Sequence, residues 1–110
     1  MRPDQQFAAL ADPTRCRIVE LLHARPMPVH HLAATFSISR PAISRHLRVL
    51  KDADLVREER QGRENVYSLQ LHRFRALDSW LTQFWHQRLG TLKALAETSQ
   101  PIAAQPESKP

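Results

Sequence analysis

The stretch Ser39-Arg40-Pro41-Ala42-Ile43-Ser44-Arg45-His46-Leu47-Arg48-Val49-Leu50-Lys51 constrains this chain more than any other. Ile43, Leu47 and Leu50 recur at helical spacing and form an apolar stripe. Arg40, Ser44, Arg45 and Arg48 fall on the opposite side, Lys51 extends the row, and no acid interrupts it before Asp52. The pattern predicts a helix that buries one side and turns arginines and a serine outward. In a DNA major groove such an arginine pairs bidentately with guanine, and serine or lysine holds phosphate. A merely solvated basic face would look the same in isolation, so the flanking segments decide.

Upstream, Pro28 suits the first turn of a helix, and Val29, Leu32, Ala33 and Phe36 then repeat at helical spacing. Phe36-Ser37-Ile38-Ser39 bridges to the basic segment, with Ser39 as its N-cap. A short helix, a tight turn and a second helix with outward basic residues is helix-turn-helix grammar. Downstream, Leu55–Arg60 and Asn65–Leu69 read as two strands joined through Gln61-Gly62-Arg63-Glu64, with Gly62 supplying the turn. Arg60 and Arg63 sit at the tip of this hairpin, where they reach phosphates or a neighbouring minor groove. Residues 40–63 carry seven Lys/Arg against four Asp/Glu, so the positive surplus lies in the reading unit itself.

Asp12-Pro13-Thr14-Arg15 at a helix start, the Ser39–Leu50 segment, and Arg60-Gln61-Gly62-Arg63 followed by Val66-Tyr67-Ser68-Leu69 together resemble the ArsR/SmtB family of bacterial winged-helix repressors. The resemblance runs from about Phe7 to about Glu97. It implies a mainly α winged helix-turn-helix of about five helices plus one hairpin wing. It also implies a homodimer on double-stranded DNA at an inverted-repeat operator. Arg40, Ala42, Ser44 and Arg45 are the candidates for base edges, with His46 one position along and turned toward the backbone or the core edge. Ser37, Ser39, Arg48 and Lys51 are the candidates for phosphate, and Arg60 and Arg63 act from the wing. The family usually has glycine just before the first wing strand. Here that position is Asp54, which tolerates the left-handed conformation at some strain, so the helix stop is expected to persist.

The first helix is expected from Asp4 to about Ala11, and the second after an Asp12 cap with Pro13 at its first position. Leu71 through about Glu97 reads as one long helix with a wide apolar stripe, roughly 40 Å long, more than the preceding segments can cover. Large aromatics contribute most at such surfaces, which points to dimerisation through the first and last helices. The residues are Phe7, Leu10, Leu77, Trp80, Leu81, Phe84, Trp85 and Leu92. Residues 1–97 form the single expected domain, and 98–110, rich in Pro, Gln and Ser, are expected to be a disordered tail.

Composition narrows the alternatives. A net charge of +5 favours a polyanionic partner. The single cysteine leaves no internal disulfide and fits a reducing cytoplasm. No apolar run is long enough for a membrane, and the start of the chain lacks the apolar core of a signal peptide. An enzyme is disfavoured, because neither a glycine-rich phosphate loop nor a nucleophile motif is present.

The metal-sensing members place Cys-x-Cys at positions that match Pro28 and His30 here, so both thiolates are missing. Asp78 and His86, with His72 further back, are badly spaced for one tetrahedral ion, and His30 and His31 point about 100° apart on a helix. No metal or other cofactor is therefore expected. Cys16 lies between Arg15 and Arg17 and has no second thiol in the chain to resolve it. A metal- or redox-responsive repressor, and a winged helix that binds protein instead of DNA, are the remaining readings. The arginine-rich face of residues 40–51 argues against the last.

Overall fold

Capping residues and prolines set the helix starts. The structure, a computed structural model, describes residues 3–98. Among these the chain order is α1 (Asp4–Leu10), α2 (Pro13–Ala24), β1 (Met27–Pro28), α3 (Val29–Thr35), α4 (Arg40–Asp52), β2 (Val56–Gln61), β3 (Glu64–Leu69) and α5 (Leu71–Thr98). The expected disordered tail lies outside the described residues, apart from Thr98, which closes α5. Asp12 caps α2 by accepting from the Arg15 backbone N–H at 3.0 Å, with Pro13 in the first turn. Ser39 caps α4 by accepting from the Ala42 N–H at 3.2 Å.

The end of α4 is equally local. Asp54 adopts φ 63°, its N–H donates to Lys51 O at 2.9 Å, and the Leu55 N–H donates to Leu50 O at 3.0 Å. This pair of bonds is the Schellman stop, with Leu50 and Leu55 both fully buried beside it. The helix stop expected at Asp54 is therefore in place without glycine.

Residues 3–77 form one body. Its core gathers Ala9, Ile18, Leu22, Met27, Leu32, Ile43, Leu47, Leu50, Ala53, Leu55, Val56 and Leu77. The sheet is antiparallel in the order β1-β3-β2. In the hairpin register Val56 faces Leu69, Glu58 faces Tyr67 and Gln61 faces Glu64, and Gly62 takes φ 64° at the turn. The two-residue β1 was not expected. Met27 precedes a proline and is pushed to extended backbone, and Pro28 needs no ladder N–H at a sheet edge.

Leu77, expected on the dimer surface, is 5% exposed and packs in the core of this body. Phe7 and Leu10 pack partly buried against the same core.

Residues 78–98 form the second body, the greater part of α5. Trp80 stacks on Phe84 with centroids 5.2 Å apart, Phe84 meets Trp85 edge-on at 5.3 Å, and the Arg88 guanidinium lies 4.2 Å over the Phe84 ring. Leu81, Trp85, Leu89, Leu92 and Leu95 are exposed large hydrophobics. Among the described residues no helix is long and apolar enough to cross a membrane.

Candidate nucleic-acid interface

The apolar side of α4 anchors it. Ile43, Leu47 and Leu50 are all 0% exposed, which fixes the rotation of the helix about its axis and determines what it shows to solvent. Arg40, Ser44, Arg45 and Arg48 are exposed, as are Ser37 and Ser39 in the preceding turn, and Ala42 is half-buried. Arg48 is held loosely by Asp52 one turn on, at 3.9 Å between two well-exposed side chains. At the wing tip Arg60 and Arg63 are both exposed, and Arg60 Nε donates to Gly62 O at 3.0 Å.

Two predicted contact residues are tied to the protein itself. His46 is half-buried and turned toward the start of α2, not outward. Its Nδ1 lies 3.2 Å from Arg15 Nη1 and 3.9 Å from Asp12 Oδ2. A guanidinium only donates, so Nδ1 accepts, which leaves the ring proton of the neutral imidazole on Nε2. Arg15 is itself fixed, its Nε donating to Ala9 O at 2.6 Å. The backbone N–H of Arg15, with the charge of its guanidinium behind it, outweighs desolvation and holds the Asp12 carboxyl below its ordinary value. At the other end of the helix Lys51 Nζ donates to Glu58 Oε1 at 2.8 Å, and the Tyr67 hydroxyl donates to Glu58 Oε2 at 3.0 Å. The bond from Lys51, joined by the one from Tyr67, outweighs burial and keeps Glu58 below its usual range. Burial, and then the adjacent Glu58, push Tyr67 up to about 12.

The α1 helix closes the far end of α4. Gln6 Nε2 donates to Ala53 O at 2.9 Å and Gln5 Nε2 to Asp52 O at 3.4 Å, satisfying carbonyls that a helix terminus leaves open. None of these ties was predicted, because each joins residues of different elements that meet only in the folded chain, and each residue alone is an ordinary polar side chain.

Among the described residues no three of His, Cys, Asp and Glu gather as a metal site would require. His30 lies near Glu64, at 3.8 Å, and edge-on to His31. Cys16 is exposed, with its thiol directed to Leu10 O at 2.9 Å.

The model of a helix-turn-helix domain matches residues 10–59. HTH-type transcriptional regulator Rv2034 of Mycobacterium tuberculosis is 45% identical over 87 residues, covering 79% of this chain and 81% of that protein. Transcriptional repressor SdpR of Bacillus subtilis is 37% identical over 78 residues, covering 71% of this chain and 87% of the repressor. Among solved structures, the ArsR family transcriptional regulator RHA00566 superposes with a TM-score of 0.71 at 32% identity, covering 80% of this chain and 94% of its own.

Proposed function

Because the chain belongs to the ArsR/SmtB family of helix-turn-helix transcriptional regulators, DNA-binding proteins and not enzymes, we propose that it acts as a cytoplasmic repressor on an inverted-repeat operator. In this reading two copies pair through the apolar side of α5. Their α4 helices then enter successive major grooves about 34–36 Å apart. Arg40, Ala42, Ser44 and Arg45 read base edges, Ser37, Ser39 and Arg48 hold phosphates, and Arg60 and Arg63 brace the wing against the backbone. The observation that carries the reading is the outward row Arg40, Ser44, Arg45 and Arg48 on a helix whose other side is fully buried.

The test is selection of bound sequences from a random duplex pool, followed by titration of the selected duplex. An inverted repeat is expected. With roughly 6–10 phosphates neutralised per dimer, affinity falls by about 10³–10⁵ between 50 and 200 mM salt. Arg45→Ala reduces discrimination between operator and random DNA by ~1–3 kcal/mol, the worth of one bidentate base contact. Arg63→Ala weakens binding to both alike and flattens the salt slope. An unchanged specificity ratio in Arg45→Ala rejects the role given to that residue.

A further inference from the structure

An acid stands on the face that the proposed function turns toward DNA. Glu58 lines an open hollow of about 400 Å³ between α4 and the hairpin, together with Ser44, Arg48, Lys51, Asp52 and Tyr67. Left alone, a carboxylate there would repel the phosphates that Arg48 is placed to attract. It is not left alone, since Lys51 and Tyr67 occupy one oxygen each. The strand register sets Glu58 directly opposite Tyr67, and its side chain is only 23% exposed, so the carboxylate is held in place and does not swing into solvent.

A phosphate and a carboxylate compete for the same ammonium. If Lys51 moved to a phosphate, Glu58 would lose its cation and face the DNA as an unpaired, partly desolvated negative charge. Two like charges would then be brought together for the gain of one exposed contact. The balance favours keeping the Lys51–Glu58 pair closed in the complex.

We propose that Glu58 is a latch on Lys51 that withholds this cation from DNA phosphates and so lowers the protein's affinity for DNA of any sequence. The inference rests on the DNA-binding reading above. It departs from the role that the position of Lys51 on the basic row suggested. It bears on sequence-independent affinity because that affinity is almost wholly phosphate neutralisation. Base recognition by Arg40, Ser44 and Arg45 is untouched, so operator and random duplexes shift together.

The experiment is fluorescence anisotropy of the full chain on a labelled random-sequence duplex and on the selected operator, from 50 to 200 mM salt. The proteins compared are the parent, Glu58→Gln, and the double variant Lys51→Gln/Glu58→Gln. Glu58→Gln is isosteric, Lys51→Gln keeps an uncharged polar side chain at an exposed position, and far-ultraviolet circular dichroism with urea melts confirms folding of each protein. Glu58→Gln frees Lys51 and is expected to steepen the slope of log affinity against log salt by about 0.9 per protomer, on both duplexes, with the specificity ratio unchanged. The double variant replaces a neutral pair with two neutral groups and is expected to return to the parent slope. A double variant flatter than the parent overturns the proposal, because Lys51 would then already be neutralising a phosphate. An unchanged slope in Glu58→Gln overturns it equally. Absence of salt-dependent DNA binding in the parent protein fails the DNA-binding reading itself, a different result from either of these.

Discussion

On α4, Ile43, Leu47 and Leu50 are 0% exposed, whereas on α5 Leu89 and Leu92 are 58% and 59% exposed. Both sets are leucine-type side chains at helical spacing, and only the greater length of α5 marks its stripe as more than one chain can cover. The difference is what lies over them. The stripe of α4 enters a core that α1, α2, α3 and the sheet also supply. A stripe names a face but not its cover, and the free energy of burial, ~1.5–3 kcal/mol for a large aliphatic side chain, is gained only where a cover exists. In the proposed dimer a second chain supplies that cover on α5, where Trp80, Phe84 and Trp85 pack ring on ring.

Substitution on each stripe is expected to act through a different equilibrium. Leu47→Ala leaves a cavity in a closed core and is expected to cost ~2–5 kcal/mol in urea melts, with a midpoint shift that does not depend on protein concentration. Leu92→Ser removes as much apolar surface but makes no cavity within the chain. Its expected effect is on association, with about 2 kcal/mol lost if Leu92 lies at the centre of the interface. Light scattering at micromolar concentration is expected to give twice 12.7 kDa for the parent and to fall toward the single-chain mass in Leu92→Ser. Equal masses for parent and variant would show that the two stripes differ for another reason.

The same contrast explains how much was legible in advance. The α4 helix, its Ser39 cap, the stop at Asp54, the hairpin and the start of α5 at Leu71 all follow from rules that act over a few residues. Caps satisfy nearby N–H groups, and glycine or a tolerant residue supplies positive φ. Outward exposure of the Arg40–Arg48 row followed from the same spacing that buries Leu47. Cover is decided by residues distant in the chain, so Leu77, in register with Trp80 and Leu81, could not be separated from them by pattern alone. The ties to His46 and Lys51 were hidden for the same reason: Arg15 lies 31 residues from His46, and Glu58 is reached only when the hairpin folds back on α4. The two-residue β1 depends on β3, which is formed much later in the chain.

The α4–hairpin face is held partly by ionisable groups, whereas Leu89 and Leu92 do not titrate. Glu58 and Asp12 have lowered pKa values in the folded protein. Their contribution is present above the ordinary carboxylate range and is lost as pH falls through the folded values. Tyr67 is shifted from 10.0 to about 12, so its contribution is complete below pH 10 and is lost as pH rises toward 12. Stability of the parent is therefore expected to decline at both ends. Tyr67→Phe is expected to be less stable at neutral pH and to show a flatter alkaline limb between pH 10 and 12. Parallel limbs for the two proteins would remove Tyr67 from the tie.

The smallest effect is expected at Asp54, where the covered stripe of α4 ends. Its positive φ costs an ordinary side chain roughly 1–2 kcal/mol, and less for Asp, whose short polar side chain suits this region. Against that cost the carboxylate lies 3.6 Å from Arg73 Nη2, a partly exposed pair worth about 0–1 kcal/mol. The Schellman bonds and the bond from Gln70 Nε2 to Asp54 O, at 3.3 Å, use only backbone atoms of Asp54 and survive substitution. Glycine removes the φ strain but adds freedom to the unfolded chain. Asp54→Gly is therefore expected to change stability by no more than about 0.5 kcal/mol in low salt, and to gain on the parent as added salt screens the Arg73 pair. Asp54→Ala keeps the strain and loses the pair, so a drop of about 1 kcal/mol is expected. A loss in Asp54→Gly as large as that in Asp54→Ala, unaffected by salt, would mean that something other than backbone strain and the Arg73 pair governs this helix end.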